Sequence, residues 1–225
     1  RDLVRSRGLG DVYKRQLLNA SDADRLDWTI DTGSDASVSK RGHEAYMCSG
    51  GEDFFEPALG LTHADGNKTT YLYYKDSQTK AVDGGNETVI TLADNKYDVE
   101  VRLHYVAYTK QNVIKAWSEI TNKEKGDISL WKYASAILYF SSQKYFLTNY
   151  HGDWAREAQP AVQQLTYGKK VIDTKLGTRA AMHTQPFFEL GLDAPAAENS
   201  GRVMLGTIAW TGNFRCIFEV DNAVS

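Results

Sequence analysis

The sequence predicts an all-β fold, a large sandwich of antiparallel sheets with at most one or two short helices. Three observations predict it. Aromatic residues make up 12% of the 225 residues and β-branched residues are frequent, as in strands. Segments in which polar and apolar residues alternate recur along the chain, separated by turn residues. No segment longer than about 10 residues carries an apolar stripe at helical spacing.

The first half of the chain contains the clearest strand patterns. Residues 26–30 are a short candidate strand, and residues 88–92 alternate before a turn at Asp94 and Asn95. Residues 113–121 and 128–140 lie on either side of a polar turn that contains Gly126. Strands joined by such short turns favour antiparallel pairing in hairpins.

Residues 98–109 are the best example of alternation. One face carries Val99, Val101, Leu103, Tyr105 and Ala107, and the other carries Glu100, Arg102, His104 and Val106. This pattern predicts a strand with one buried face and one largely polar face. We therefore expect His104 to be solvated.

The last third of the chain repeats this style. Residues 186–193, 202–210 and 214–221 are predicted strands, and Thr211-Gly-Asn213 predicts a tight hairpin turn between the last two. The best helical candidate is 155–164, which Pro160 interrupts. The polar stretch 32–67 contains six glycines, and we expect it to be a long functional loop.

Charge is unevenly distributed along the chain. The net charge is -3, and the first 16 residues carry five basic and two acidic side chains. The remaining 209 residues therefore carry 21 basic and 27 acidic side chains. We interpret residues 1–16 as a non-native leader and 17–225 as the native part; the alternative is a native basic arm. On this interpretation the native N-terminus, with any targeting signal, is missing. The sequence therefore does not decide between a cytoplasmic and a periplasmic location.

Several functional classes find no support in the sequence. No apolar run is long enough for a membrane helix, and no basic field indicates a nucleic-acid partner. The five histidines lie far apart without the spacing of a metal site, and no phosphate loop or nucleophile elbow is present. Cys48 is expected to be an inert, partly buried thiol. Whether Cys48 and Cys216 form a disulfide is left open.

Two clusters are candidates for recognition. Residues 50–59 (GGEDFFEPAL) place Asp53 beside Phe54 in a glycine-rich turn. A carboxylate that accepts hydrogen bonds and a ring that packs on C–H groups suit a sugar. The alternative, which the residues alone favour, is that the phenylalanines fill the sandwich rim and Asp53 caps a turn. Residues 150–157 (YHGDWARE) place Trp154 in a turn, where it is either a stacking platform or a lid over the core.

At these two clusters the chain resembles glycoside hydrolase family 36 α-galactosidases, in their N-terminal domain. The resemblance covers about residues 22–221 in order, and its pattern looks bacterial. The motifs that carry it are 53–59 (DFxEPAL), 61–66 (LTHADG), 113–120 (VIKAWSEI), 151–157 (HGDWARE), 173–177 (DTKLG), 186–188 (PFF) and 210–214 (WTGNF).

The resemblance implies a β-supersandwich that precedes a (β/α)₈ barrel, and hence that the chain is a fragment. In this family both catalytic carboxylates belong to the barrel, so no residue here is assigned as catalytic. Asp53 matches an aspartate that contacts galactose, Phe54 comes after it as in the family, and Trp154 matches a tryptophan that lines the sugar site. The family's arginine after Asp-Phe is replaced by Phe55, and the preceding glycine by Glu52, which leaves room for a different sugar or aglycone preference.

The function implied is part of a retaining hydrolase of terminal α-galactosides, with this domain completing the substrate pocket and taking part in a homo-oligomer. The implied partners are galactose or an α-galactoside and the missing barrel. No metal or organic cofactor is implied. Three alternatives stay open: a stand-alone carbohydrate-binding module, a purely structural or oligomerisation domain, and a relative that transfers galactose to an acceptor other than water.

Overall fold

A computed structural model of the chain describes residues 44–51, 56–140, 142–180 and 182–220. This part contains one 3-10 turn, Gly177–Arg179, and no α-helix. It divides into two compact units, the first ending at Tyr139 and the second beginning at Phe140. The described strands are β1 Leu59–Thr62, β2 Leu72–Val82, β3 Gly85–Asp94, β4 Val99–Tyr108, β5 Val113–Asn122, β6 Ser129–Tyr133, β7 Tyr145–His151, β8 Gln159–Leu165, β9 Gly168–Thr174, β10 Thr184–Ala197, β11 Ser200–Thr207 and β12 Phe214–Val220.

The first unit contains an antiparallel meander that the sequence predicted in part, since strand β2 was not predicted. Strands β2, β3, β4 and β5 pair in chain order as one antiparallel sheet. Strands β3, β4 and β5 lie where alternation predicted them, because each must direct apolar side chains toward one face only. The predicted strand 128–140 is shorter than expected, since only Ser129–Tyr133 is in strand conformation. The hairpin expected between this strand and β5 is wrong, because β6 pairs with β1. The predicted strand 26–30 lies outside the described residues.

The core of the first unit lies between this sheet and the pair formed by β1 and β6. Its buried members are Tyr46, Cys48, Ala58, Leu59, Leu61, Val99, Val101 and Leu103. Five of these fall within the stretch 32–67, which the sequence predicted to be a polar loop. That prediction is wrong for residues 46–48 and 58–62, because a few apolar residues placed against β4 are enough to bury this segment among its glycines.

The second unit has two sheets. Strands pair in the order β11-β10-β7-β8 in one sheet, and β12 pairs with β9 in the other. Leu147 of β7, Ile172 of β9, Ala180 and Phe214 of β12 form the buried core. All pairings between named strands of the described part are antiparallel, which confirms the predicted all-β, antiparallel sandwich fold.

Two local predictions for the second unit are wrong. Residues 155–164 are not a helix, because 159–165 form strand β8. Pro160 is tolerated there since β8 is the edge of its sheet, where a missing N–H breaks no ladder. The turn at Thr211-Gly-Asn213 does not join a hairpin, because β11 pairs with β10 and β12 pairs with β9.

Candidate functional site

The loop between β7 and β8 carries the motif HGDWARE. The backbone of residues 153 and 156 closes a turn, with Arg156 N donating to Asp153 O at 2.9 Å. A Cβ on Gly152 would lie 2.5 Å from Arg156 O and 2.9 Å from Glu157 Cα, so only glycine fits there. Ala155 and Ala158 adopt positive φ angles of 60° and 55°, which fold the loop tightly.

Trp154 lies at the tip of this loop and is 88% exposed. Its backbone N–H donates to Asp153 Oδ1 at 2.7 Å, and Ala155 N–H donates to Glu157 Oε1 at 3.0 Å. Trp154 is therefore not a lid over the core, which was one of the two alternatives left open for it. Within the described part of the chain, Arg156 and Glu157 form no ion pair.

Asp53 and Phe54 lie outside the described residues, so their substrate contacts stay a prediction. The segments that flank them belong to the first unit, whereas Trp154 belongs to the second. Before them, Ser49 N–H donates to Leu59 O at 2.9 Å and Thr70 N–H donates to Ser49 O at 3.0 Å. After them, Glu56 forms an ion pair with Lys132 of β6.

The sequence did not reveal a buried polar network next to these flanks. His63 is fully buried; its Nδ1 lies 2.7 Å from Glu124 Oε1, and its Nε2 lies 3.0 Å from Thr70 Oγ1. Its ring stacks on Tyr97 with centroids 3.6 Å apart. The only available signal was the position of His63 inside the motif LTHADG.

His104 corrects a prediction. It is not solvated, because Glu87 of β3 and Trp117 of β5 cover it across the strands. Its Nδ1 lies 3.0 Å from Glu87 Oε1, and its ring stacks on Trp117 with centroids 4.6 Å apart. Its Nε2 lies 3.5 Å from Glu119 Oε2 and has no hydrogen-bond partner among the described residues.

Both cysteines are free. Burial raises the pKa of the Cys48 thiol to about 12 and that of Cys216 to about 11. A thiol with so high a pKa is protonated at neutral pH and is a poor nucleophile, which agrees with the expected inert role of Cys48.

The described residues offer neither a metal site nor a membrane helix. They contain no group of three histidine, cysteine, aspartate or glutamate side chains arranged to hold a metal ion. None of their helices has the length and hydropathy needed to cross a membrane.

The chain matches known proteins over most of its length. A family model described as glycosyl hydrolase family 36 N-terminal domain matches residues 9–224. The chain is 26% identical over 176 residues to alpha-galactosidase 2 of Hypocrea jecorina, covering 72% of this chain and 23% of that protein. It is 29% identical over 197 residues to alpha-galactosidase AgaA of Geobacillus stearothermophilus, covering 79% of this chain and 26% of AgaA.

A solved structure gives the same result for the fold. The crystal structure of an AgaA variant in complex with raffinose superposes with a TM-score of 0.73 at 26% identity, covering 80% of this chain and 27% of the AgaA chain. The chain thus spans about a quarter of the length of the relatives it matches.

Proposed function

Because the chain belongs to the glycosyl hydrolase family 36 N-terminal domain family, we propose that it is the N-terminal part of a retaining α-galactosidase that hydrolyses terminal α-galactosides. The observation that carries this proposal is the family match over nearly the whole chain. The relatives named alpha-galactosidases in a fungus and a bacterium support it.

In this enzyme the chain completes the substrate pocket. Asp53 accepts hydrogen bonds from sugar hydroxyls, while Phe54 and Trp154 pack against the C–H faces of the ring. The exposure of Trp154 and the tight turn that carries it support this role.

Bond cleavage is assigned to the rest of the enzyme. Retaining hydrolysis needs two carboxylates about 5 Å apart, one as nucleophile and one as acid and then base. We infer from the family resemblance that both belong to a barrel that comes after this domain. The contribution of this chain is therefore to position the substrate, and we also propose that it takes part in a homo-oligomer of the full enzyme.

The experiment is an assay with an aryl α-galactoside. The 225-residue chain alone is expected to give no turnover, and the chain fused to a family 36 barrel is expected to be active. Measurable hydrolysis by the chain alone would refute the assignment of chemistry to the barrel. A folded fusion that stays inactive would count against the proposed enzyme.

A matched pair of variants tests the role of Trp154 in the active fusion. Trp154→Ala is expected to raise KM or slow turnover, whereas Trp131→Ala, at a tryptophan 52% exposed in the first unit, should change neither. Equal behaviour of the two variants would remove Trp154 from the substrate site.

The exposure of Trp154 also favours a second candidate, a stand-alone carbohydrate-binding module. Galactose titrated against the 225-residue chain separates the two functions. If the sugar site is shared with a barrel, the chain alone should bind galactose weakly. A stand-alone module should be saturated at low galactose concentration. Whether the enzyme passes galactose to water or to another acceptor is decided by product analysis of the fusion.

A further inference from the structure

The chain closes on itself at the base of the segment that carries Asp53. Leu59 N–H donates to Met47 O at 3.0 Å, and Ser49 N–H donates to Leu59 O at 2.9 Å. Met47 and Leu59 are both buried. These residues, 47–49 and 59, are called the loop base below. Because the chain enters and leaves the segment at this one place, whatever holds the loop base also limits where Asp53 can lie.

The segment 63–70, which follows β1 and forms a turn, holds the loop base from one side. Thr70 N–H donates to Ser49 O at 3.0 Å. Next to Ser49, a Cβ on Gly50 would lie 2.6 Å from Thr69 Cγ2 and 3.0 Å from Thr70 O. The φ angle of Gly50 is 129°, in a region that glycine adopts readily and other residues do not. The turn therefore lies directly against the chain as it leaves the loop base.

His63 fixes this turn from within. Its Nε2 lies 3.0 Å from Thr70 Oγ1, and its Nδ1 lies 2.7 Å from Glu124 Oε1. Its backbone N–H donates to Asn67 O at 2.7 Å, and the ring of Tyr97 stacks on the imidazole. The side chains of His63 and Thr70 are both fully buried. The imidazole thus ties the turn to Glu124, which lies between β5 and β6.

A polar network in this place gives accuracy more than stability. Replacing both members of a buried hydrogen-bonded pair by apolar groups of the same shape is often nearly neutral for stability. A hydrogen bond, in contrast, weakens steeply when its angle changes, so the contact between His63 and Thr70 favours a single arrangement of the turn. A ligand-binding side chain must be held within about 0.5 Å of its working position, and the loop base is where this accuracy is set.

We propose that His63 and Thr70 are positioning residues of the substrate site, which act on the sugar through Asp53 and do not touch it themselves. The inference rests on the proposed function, in which Asp53 binds sugar hydroxyls, and adds the residues that hold it in place. Glu124 orients the ring of His63, and that ring holds the Thr70 hydroxyl. The Thr70 N–H in turn holds Ser49 at the loop base.

The effect on kinetics has a definite form. A hydroxyl contact of the kind proposed for Asp53 is made with the substrate and with the transition state alike. Loss of such a contact raises KM and leaves kcat unchanged. Loss of stability acts differently, because it reduces the fraction of folded enzyme and so lowers the apparent kcat at an unchanged KM. The two kinetic constants therefore separate a positioning role from a purely structural one.

The test is a matched pair of threonine variants in the active fusion with a family 36 barrel. Thr70→Val keeps the backbone N–H and the shape of the side chain but removes the hydroxyl that contacts His63. Thr88→Val removes another buried hydroxyl of the same unit, whose Oγ1 lies 3.0 Å from Thr79 Oγ1. Thr70→Val is expected to raise KM for an aryl α-galactoside about three- to tenfold, whereas Thr88→Val should leave KM unchanged. Thr70→Ser keeps the hydroxyl and should have a KM close to that of the wild type.

The outcomes separate this inference from the proposed function. If Thr70→Val lowers only the apparent kcat, or if Thr88→Val raises KM equally, the inference is overturned while the active wild-type fusion leaves the proposed function intact. A Thr70→Ser variant with the raised KM of Thr70→Val would also overturn it. A folded wild-type fusion without activity contradicts the proposed function, and the inference fails with it.

Amide hydrogen exchange in the 225-residue chain tests the same network without activity. Thr70→Val is expected to speed exchange at positions 49 and 70, whose amides bond within and to the loop base, by about three- to tenfold. The amides of Val101 and Leu103 in β4 serve as the reference and should not change. Equal acceleration at β4 would show a general loss of stability, and unchanged exchange at position 49 would show that His63 and Thr70 do not hold the loop base. Either result overturns the inference.

Discussion

The two units place their carboxylates differently. In the first unit Glu87, Glu100 and Glu124 have side chains no more than 10% exposed, and each is held by basic partners. In the second unit the paired carboxylates of Asp173, Asp193 and Glu219 are between 23% and 43% exposed. Three paired carboxylates of the first unit are thus nearly buried, although Lys80 and Lys123, which pair with two of them, are exposed. The paired carboxylates of the second unit are partly exposed, as is Glu56 in the first unit.

This difference determines how much each unit should lose in stability when an ion-pair partner is removed. A buried charge that loses its partner is stabilised neither by an opposite charge nor by water, which is strongly unfavourable. A surface pair exchanges its partner for water at little cost. We therefore expect the stability of the first unit to depend on its charged side chains, and that of the second unit to depend mainly on its apolar core.

The largest loss of stability is expected when a core leucine is truncated, and it should be similar in the two units. Leu61 and Leu147 are both fully buried, one in each core. Leu61→Ala and Leu147→Ala should each lower the free energy of unfolding by about 2–5 kcal/mol, through lost apolar contact and a residual cavity. Chemical denaturation measures this. A loss below about 1 kcal/mol in either variant would show that its unit does not depend on packing around that leucine.

The next effect should distinguish the units. Glu124 Oε1 lies 2.7 Å from His63 Nδ1, and its Oε2 accepts the N–H of Ala64 at 3.1 Å. Glu124→Ala leaves a buried ring nitrogen unpaired and should cost about 1–3 kcal/mol. Asp173→Ala removes the partner of Arg215 at the surface and should cost less than about 1 kcal/mol. Equal losses in the two variants would contradict the comparison.

The sequence predicted this arrangement only in part. The positions of β3, β4 and β5 were predicted correctly. One face of each strand must be apolar, and this appears in the sequence as alternating apolar and polar residues. The burial of His104 was not predicted, because Glu87 and Trp117 belong to neighbouring strands and their proximity depends on register. The burial of the segments 46–48 and 58–62 was not predicted, because their apolar residues lie in a stretch rich in glycine and polar residues.

The second unit shows the same limit at longer range. Residues 155–164 contain alanine and glutamine, which favour helix locally, but pairing of β8 with β7 overrides that preference. Strand β12 pairs with β9, about 45 residues earlier, and no local signal predicts such a partner. For the site, the sequence singled out Trp154, and its sugar contact stays a prediction. The exposure of its side chain depends on the loop that joins β7 and β8.

Acid should affect the first unit through Glu100. Its hydrogen bond from Lys123, and then that from Arg102, hold the pKa of the Glu100 carboxyl below its usual range. Since the folded pKa is lower than the unfolded one, about 4.3, the stabilisation is complete above that value. It is lost as the pH falls through the folded pKa.

Lys123→Met removes the main cause of this shift. It should move the acid unfolding transition to higher pH, as followed by circular dichroism. Glu87 should behave in the same way, because His104 and then Lys80 lower the pKa of its carboxyl. An acid transition that Lys123→Met leaves in place would show that Glu100 does not link the stability of this unit to pH.

The smallest effect on stability is expected at Trp154. Its side chain is 88% exposed, so Trp154→Ala should change the free energy of unfolding by no more than about 0.5 kcal/mol. Thermal unfolding checks this, with Leu147→Ala as the destabilised reference in the same unit. A large loss would mean that the indole packs on the protein and has a structural role. If stability is unchanged while sugar binding weakens, the tryptophan serves the ligand and not the fold. The buried polar groups of the first unit cannot be tested in this way, because their substitution is expected to change stability itself.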